Sequence, residues 1–130
     1  MKNRNVVILS AVSLLVSPQL LWANMSYQTG DIIFHVSKSQ QSLGIQKATK
    51  SRYSHMGLIV NKDGKAWVLE AVQPVKYTAL QQWIDRGVER HYVVKRFKTN
   101  LTVQQKQQLI KNAEQYLGQP YDLYFEWDNR

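Results

Sequence analysis

His55 and Glu70 are the residues of this chain whose types and spacing best fit chemistry. Ser54-His55-Met56-Gly57-Leu58-Ile59-Val60 reads as a strand, and Lys65-Ala66-Trp67-Val68-Leu69-Glu70-Ala71-Val72 reads as its return. Between them, Asn61-Lys62-Asp63-Gly64 carries the Asn and Asp-Gly that favour the left-handed conformations of a tight turn. If all four residues form the loop, Val60 faces Lys65 and His55 lies directly opposite Glu70. If only Asp63-Gly64 turns, the register shifts by two and Glu70 becomes a diagonal neighbour on the same face. Only a three-residue loop separates the two side chains, because strand side chains alternate with period two. A carboxylate within reach of an imidazole orients the ring and stabilises its protonated form, as a catalytic histidine requires. The plainer reading of the same pattern is a cross-strand polar pair on an open sheet face.

A histidine–carboxylate pair needs something to act upon. The sequence contains no cysteine, so it offers no thiol and no disulfide framework. Ser54 adjoins His55, but strand neighbours point to opposite faces, which makes it a poor nucleophile for that base. A metal held by His35, His55 and Glu70 is a further option, giving a metal-assisted hydrolase. It lacks the close histidine spacing or cysteine ligands of a recognisable metal motif. His35, in the apolar run Ile32-Ile33-Phe34-His35-Val36, reads as a half-buried structural residue, and His91 as a surface one. No cofactor-binding motif is present, so neither a cofactor nor a metal is assigned.

The elements that must position the pair follow from periodicity. Gly30-Asp31 introduces the strand from Ile32 to Val36, and Ser39 to Lys50 gives a weak helix with Leu43, Ile45 and Ala48 inward. After the hairpin, Thr78-Ala79-Leu80-Gln81 reads as a capping box opening a short helix with Leu80, Trp83 and Ile84 on its apolar face. Gly87 closes that helix. His91 to Phe97 is the next strand. A second capping box, Thr102-Val103-Gln104-Gln105, opens the longest helix, with a stripe of Val103, Leu109, Ile110, Ala113, Tyr116 and Leu117. Gly118 and Pro120 end it. The order predicts an α+β domain with a small, mostly antiparallel sheet and flanking helices.

Residues 1–23 stand apart. Lys2 and Arg4 precede an apolar stretch from Val6 to Val16, Pro18 breaks it, and Leu21-Trp22-Ala23 supplies a small residue for cleavage. The stretch is short for a membrane span, so it reads as an export signal cut after Ala23, with an uncleaved anchor as the alternative. The expected location is periplasmic or secreted. With Lys2 and Arg4 removed, the net charge of +8 falls to +6, scattered over Lys47, Lys50, Arg52, Lys95, Arg96, Lys98 and Lys111. Such a surface suits anionic surroundings, lipid head groups or a cell-wall polymer, and allows peripheral membrane contact. No base-reading motif accompanies it, so nucleic acid is not an expected partner.

Several segments together resemble a known family. Gly30-Asp31-Ile32-Ile33-Phe34, then Ser51-Arg52-Tyr53-Ser54-His55-Met56-Gly57, then Val68-Leu69-Glu70-Ala71-Val72 are similar to the permuted papain-like amidases, the YiiX/YebB-like branch of the NlpC-type cysteine hydrolases. Gly118-Gln119-Pro120-Tyr121-Asp122 and Tyr124-Phe125-Glu126-Trp127 fit the same pattern. The resemblance implies a circularly permuted papain-like fold over residues 24–130. It implies His55 as general base, Glu70 as the residue that orients it, and a cysteine at a helix N-terminus as nucleophile. That cysteine is expected just beyond Arg130, so the domain reads as C-terminally incomplete and, as this chain, inactive. The implied substrate is a cell-wall peptide, peptidoglycan or acyl-amide bond. The alternative from another class is a non-catalytic envelope domain that binds peptidoglycan or lipid fragments.

Overall fold

The computed structural model describes residues 27–120. The export segment and the aromatic stretch 121–130 therefore lie outside the described residues. Five strands and three helices run β1 (Ile32–Ser37), α1 (Ser42–Thr49), β2 (His55–Lys62), β3 (Lys65–Glu70), β4 (Lys76–Ala79), α2 (Leu80–Arg86), β5 (Gly87–Lys95) and α3 (Val103–Glu114). The strands form one sheet in the order β4-β3-β2-β1-β5, and every neighbouring pair is antiparallel. This is the α+β architecture the residue pattern predicts.

The hairpin turns on Asp63 and Gly64 alone. Both have positive φ, 50° and 71°, the conformation of a type I′ turn whose twist matches its flanking strands. Lys62 therefore pairs with Lys65, Ile59 with Val68 and Leu58 with Leu69. Of the two same-face registers open to this turn, the tighter one forms.

Alternation along the strands then builds two zones on one face of the sheet. Ile33, Ile59 and Val68 form a buried apolar row, and Trp83 and Ile84 of α2 close over it with Tyr27, Leu80, Tyr92 and Val94 at the margin. The same face carries His35 two residues beyond Ile33, His55 four residues before Ile59, and Glu70 two residues beyond Val68. The polar row is thus a continuation of the core, and α2 roofs both.

Local differences from the sequence expectation have physical causes. Thr78 does not cap α2: it lies in β4, and the N-cap is Ala79 without a side-chain bond. Its hydroxyl is drawn instead to the buried carboxylate of Glu70, a stronger charge-assisted bond than a cap to a neutral N–H. In α1 the buried residue is Ser42, whereas Leu43 is 60% exposed and Ala48 is also exposed. That helix is held by a hydrogen bond from Ser42 Oγ to Ser54 Oγ at 2.6 Å. β5 begins at Gly87, earlier than the His91 start expected from its apolar run. The Thr102 capping box is formed in full. The stripe of α3 covers little, with no residue of the helix buried and Val103 71% exposed. Lys62 and Tyr77 both donate to Glu114 Oε1 and hold this helix to the sheet edge.

Candidate active site

Extending the β2–β3 register one step past Leu58 and Leu69 sets Glu70 across from Gly57, so His55 sits on the diagonal. Diagonal cross-strand neighbours are within reach of long side chains. His55 Nε2 meets Glu70 Oε2 at 2.7 Å, with the imidazole side chain 19% exposed and the carboxylate fully buried. Gly57 makes this approach possible: a Cβ there would stand 2.2 Å from Val68 Cγ1 and 3.6 Å from Glu70 Cβ.

The second carboxylate oxygen is also engaged. Glu70 Oε1 accepts from Thr78 Oγ1 at 2.5 Å and from Arg86 Nη2. Burial alone pushes this carboxyl upward, but the bonds from His55 and Thr78 and the charge of Arg86 outweigh it. The result is a fall from 4.5 to about 2. A buried, ionised carboxylate bonded on both oxygens is a fixed acceptor. It holds the proton of His55 on Nε2 and leaves Nδ1 as the lone-pair nitrogen of the ring.

His35, which the sequence offered as a structural residue or, in one option, as a metal ligand with His55 and Glu70, is the third member of the polar row. It pairs directly with His55 across β1 and β2, which brings the ring centroids to 5.4 Å. It is buried rather than half-buried, at 2% exposure, and stacks on Trp83 at 3.8 Å with 15° between planes. Gly87 lies on its other side, where a Cβ would come within 2.8 Å of His35 Nδ1. Burial first, then the charges of His55 and Arg86, push the imidazole from 6.5 down to about 4, against a smaller opposing pull from Glu70. At neutral pH His35 is therefore an uncharged wall beside His55. His91, by contrast, is exposed on β5.

The pair opens into a cleft of about 570 Å³ whose lining includes His35, His55, Ser37, Lys38, Val72 and Arg86. Ser54 also borders it, but its hydroxyl oxygen accepts from Ser37 N at 2.8 Å and from Ser42 Oγ. It serves as a structural post joining β1, α1 and β2. Thr78, Trp83 and Arg86 complete the site, and the sequence carried only a faint signal for them. Read as a strand, Lys76-Tyr77-Thr78-Ala79 places Thr78 on the Glu70 face, and a helix ending at Gly87 aims Arg86 at the same end of the sheet.

A family model described as permuted papain-like amidase enzyme (YaeF/YiiX) matches residues 26–130. Among curated proteins, the chain is 49% identical over 130 residues to the uncharacterized protein YiiX of Escherichia coli K12, covering 99% of this chain and 61% of that protein. Among solved structures, the crystal structure of metalloprotein yiiX from Escherichia coli O157:H7 is similar at a TM-score of 0.73 and 53% identity, covering 78% of this chain and 56% of that one. The chain thus spans less than two thirds of the length of these relatives.

Proposed function

This chain belongs to the permuted papain-like amidase family, and from that premise we propose that it supplies the imidazole–carboxylate half of a cysteine-amidase site. The observation that carries the reading is the 2.7 Å contact of His55 Nε2 with a buried, ionised Glu70 at the edge of an open cleft. In this reading His55 Nδ1 takes the proton of a cysteine thiol. The thiolate sulfur attacks the amide carbonyl, the C–N bond breaks as the imidazolium returns its proton to the leaving amine, and water hydrolyses the thioacyl intermediate. Glu70 keeps the ring in one tautomer throughout. The substrate class is an amide of a cell-wall peptide or an acyl amide. Residues 1–23 act as an export signal that places the domain in the envelope.

The 130 residues contain no cysteine, so turnover by this route needs a thiol from outside them, and the chain by itself acts as a non-catalytic member. The Escherichia coli relative is described as a metalloprotein. Among the described residues of this chain, no group of three or more His, Cys, Asp or Glu side chains is arranged to hold a metal ion. Both oxygens of Glu70 are already engaged by His55, Thr78 and Arg86.

The test fuses a cysteine-bearing helix after Arg130, the position the resemblance implies, and assays hydrolysis of cell-wall peptide and acyl-amide substrates. The fused protein is expected to turn over, and His55→Ala to lower the rate by about a hundredfold to ten-thousandfold, with Glu70→Gln costing less. Amide hydrolysis by the unfused chain that survives His55→Ala would overturn the reading. N-terminal sequencing of envelope protein checks export, with a start at Asn24 expected; intact Met1 in a soluble cytoplasmic pool overturns it.

A further inference from the structure

The cleft beside His55 carries two cationic side chains. Lys38 and Arg86 both line it, together with hydroxyl and amide side chains. One carboxylate, Asp85, also lines the cleft, but its Oδ1 accepts from Arg90 Nε at 2.8 Å and from Gln81 Nε2 at 3.0 Å. Asp85 is thereby offset by Arg90, and Glu70 offsets the charge of Arg86, so Lys38 gives the cleft its net positive charge while Arg86 gives it hydrogen-bond donors. Arg86 is bound to the site itself: its Nη2 donates to one oxygen of Glu70 while His55 occupies the other. The two side chains are anchored to a single buried carboxylate. Yet the Arg86 side chain remains 44% exposed, and a guanidinium has five N–H donors in a planar fork. Arg86 borders both this cleft and a second cavity beside Lys76 and Gln82, and it has more donors than the bond to Glu70 uses.

We propose that this cleft selects ligands bearing a carboxylate close to the amide presented to His55, with Arg86 as its planar receptor and Lys38 as a second, mobile cation. The assignment deepens the amidase reading and rests on it for the position of the scissile amide. Arginine matches the two oxygens of a carboxylate in a way a point charge does not. The common carboxylate of Glu70 ties the anchor of the ligand to the ring that would act on it. An N-acylated amino acid or peptide with a free carboxyl group has this shape. The surplus of basic residues over the whole chain, +8 by sequence, draws such anions to the surface.

The experiment needs no thiol. The isotope-labelled 130-residue chain is titrated with N-acetylglycine and with its uncharged analogue N-acetylglycinamide, following the ring resonances of His55 and the backbone amides of Ala71 and Val72. The acid is expected to shift these signals and to bind about tenfold more tightly than the amide, the value of a hydrogen bond to a charged group. Added salt is expected to weaken it. Lys38→Gln should weaken acid binding by about threefold, as for one exposed charge. Arg86→Lys, which keeps the charge and removes the fork, should weaken it more. Equal binding of acid and amide overturns the proposal. So do shifts confined to residues away from the cleft, or no shift at His55 with either compound. Because the readout is binding, it stands or falls apart from any result on turnover.

Discussion

Glu70 reaches His55 along a diagonal across Gly57, and that offset is what brings an imidazole and a carboxylate to 2.7 Å on strands already joined by backbone pairing. The direct-opposite register would have needed Asn61 and Lys62 in the loop. Both instead continue the ladder, and the vacant Cβ position at Gly57 becomes the gap the pair leans across.

Gly57→Ala should therefore disturb the site and the fold together. The new methyl would sit 2.2 Å from Val68 Cγ1, inside a row where Val68 is fully buried. Overpacking of this kind costs about 1–3 kcal/mol. The control is Gly44→Ala in α1, where an added Cβ meets nothing within 4 Å and helix propensity gains about 0.5–1 kcal/mol. Urea unfolding of both variants checks the opposite signs.

The hairpin, the apolar face of α2 and the Thr102 cap were legible because each depends on neighbours in sequence. The His35–His55 juxtaposition stood only as one option, because it depends on β1–β2 pairing across the whole of α1 and its connections. Local alternation says nothing about which partner strand a residue meets. Thr78 shows the other limit. Its spacing to Gln81 satisfies a capping rule, but a buried carboxylate eight residues earlier competes for the hydroxyl and wins. Likewise the periodic stripe marks an amphipathic helix without saying what covers it: Val103 stays exposed, and Tyr116 falls past the end of α3 at Glu114 and is exposed too.

His35 should contribute a pH dependence to stability. Its folded value of about 4 lies below the ordinary 6.5, so the unfolded chain binds the proton more readily. Its stabilising effect is complete above pH 6.5 and is lost as pH falls from 6.5 towards 4. His35→Phe keeps a ring against Trp83 and removes the titration. The gap in unfolding free energy between the parent and His35→Phe is expected to change in the parent's favour from pH 4 to pH 6.5 and to be level above it. A gap that does not vary with pH would show that His35 is not held neutral.

Glu70 acts in a lower window and by the opposite charge logic. Its folded carboxyl lies near 2 against an ordinary 4.5, so the unfolded state again binds the proton first. Stability from Glu70 is complete above pH 4.5 and is lost as pH falls from 4.5 towards 2. Glu70→Gln removes that slope. It also leaves Arg86 facing a neutral amide, so the variant should be less stable than the parent at pH 7 and should approach it by pH 2. Urea titrations at intervals between pH 2 and 7 read both effects.

Thr78→Val separates the support of the carboxylate from the carboxylate itself. Valine is close in shape to threonine, and Thr78 is buried, 8% exposed, with its hydroxyl on Glu70 Oε1. That oxygen keeps Arg86 as a donor, so the loss is one net hydrogen bond, about 1 kcal/mol of stability. A donor removed from an ionised carboxylate also raises its pKa. The acid limb that Glu70 contributes should therefore move to higher pH in Thr78→Val, while the slope assigned to His35 stays where it is. In the cysteine-fused protein the same change should lower kcat with little effect on KM, because it loosens the partner of His55 and Thr78 does not itself line the cleft. Restoring the hydroxyl with Thr78→Ser should recover most of both. A purely structural Thr78 would give the loss of stability without the displaced acid limb.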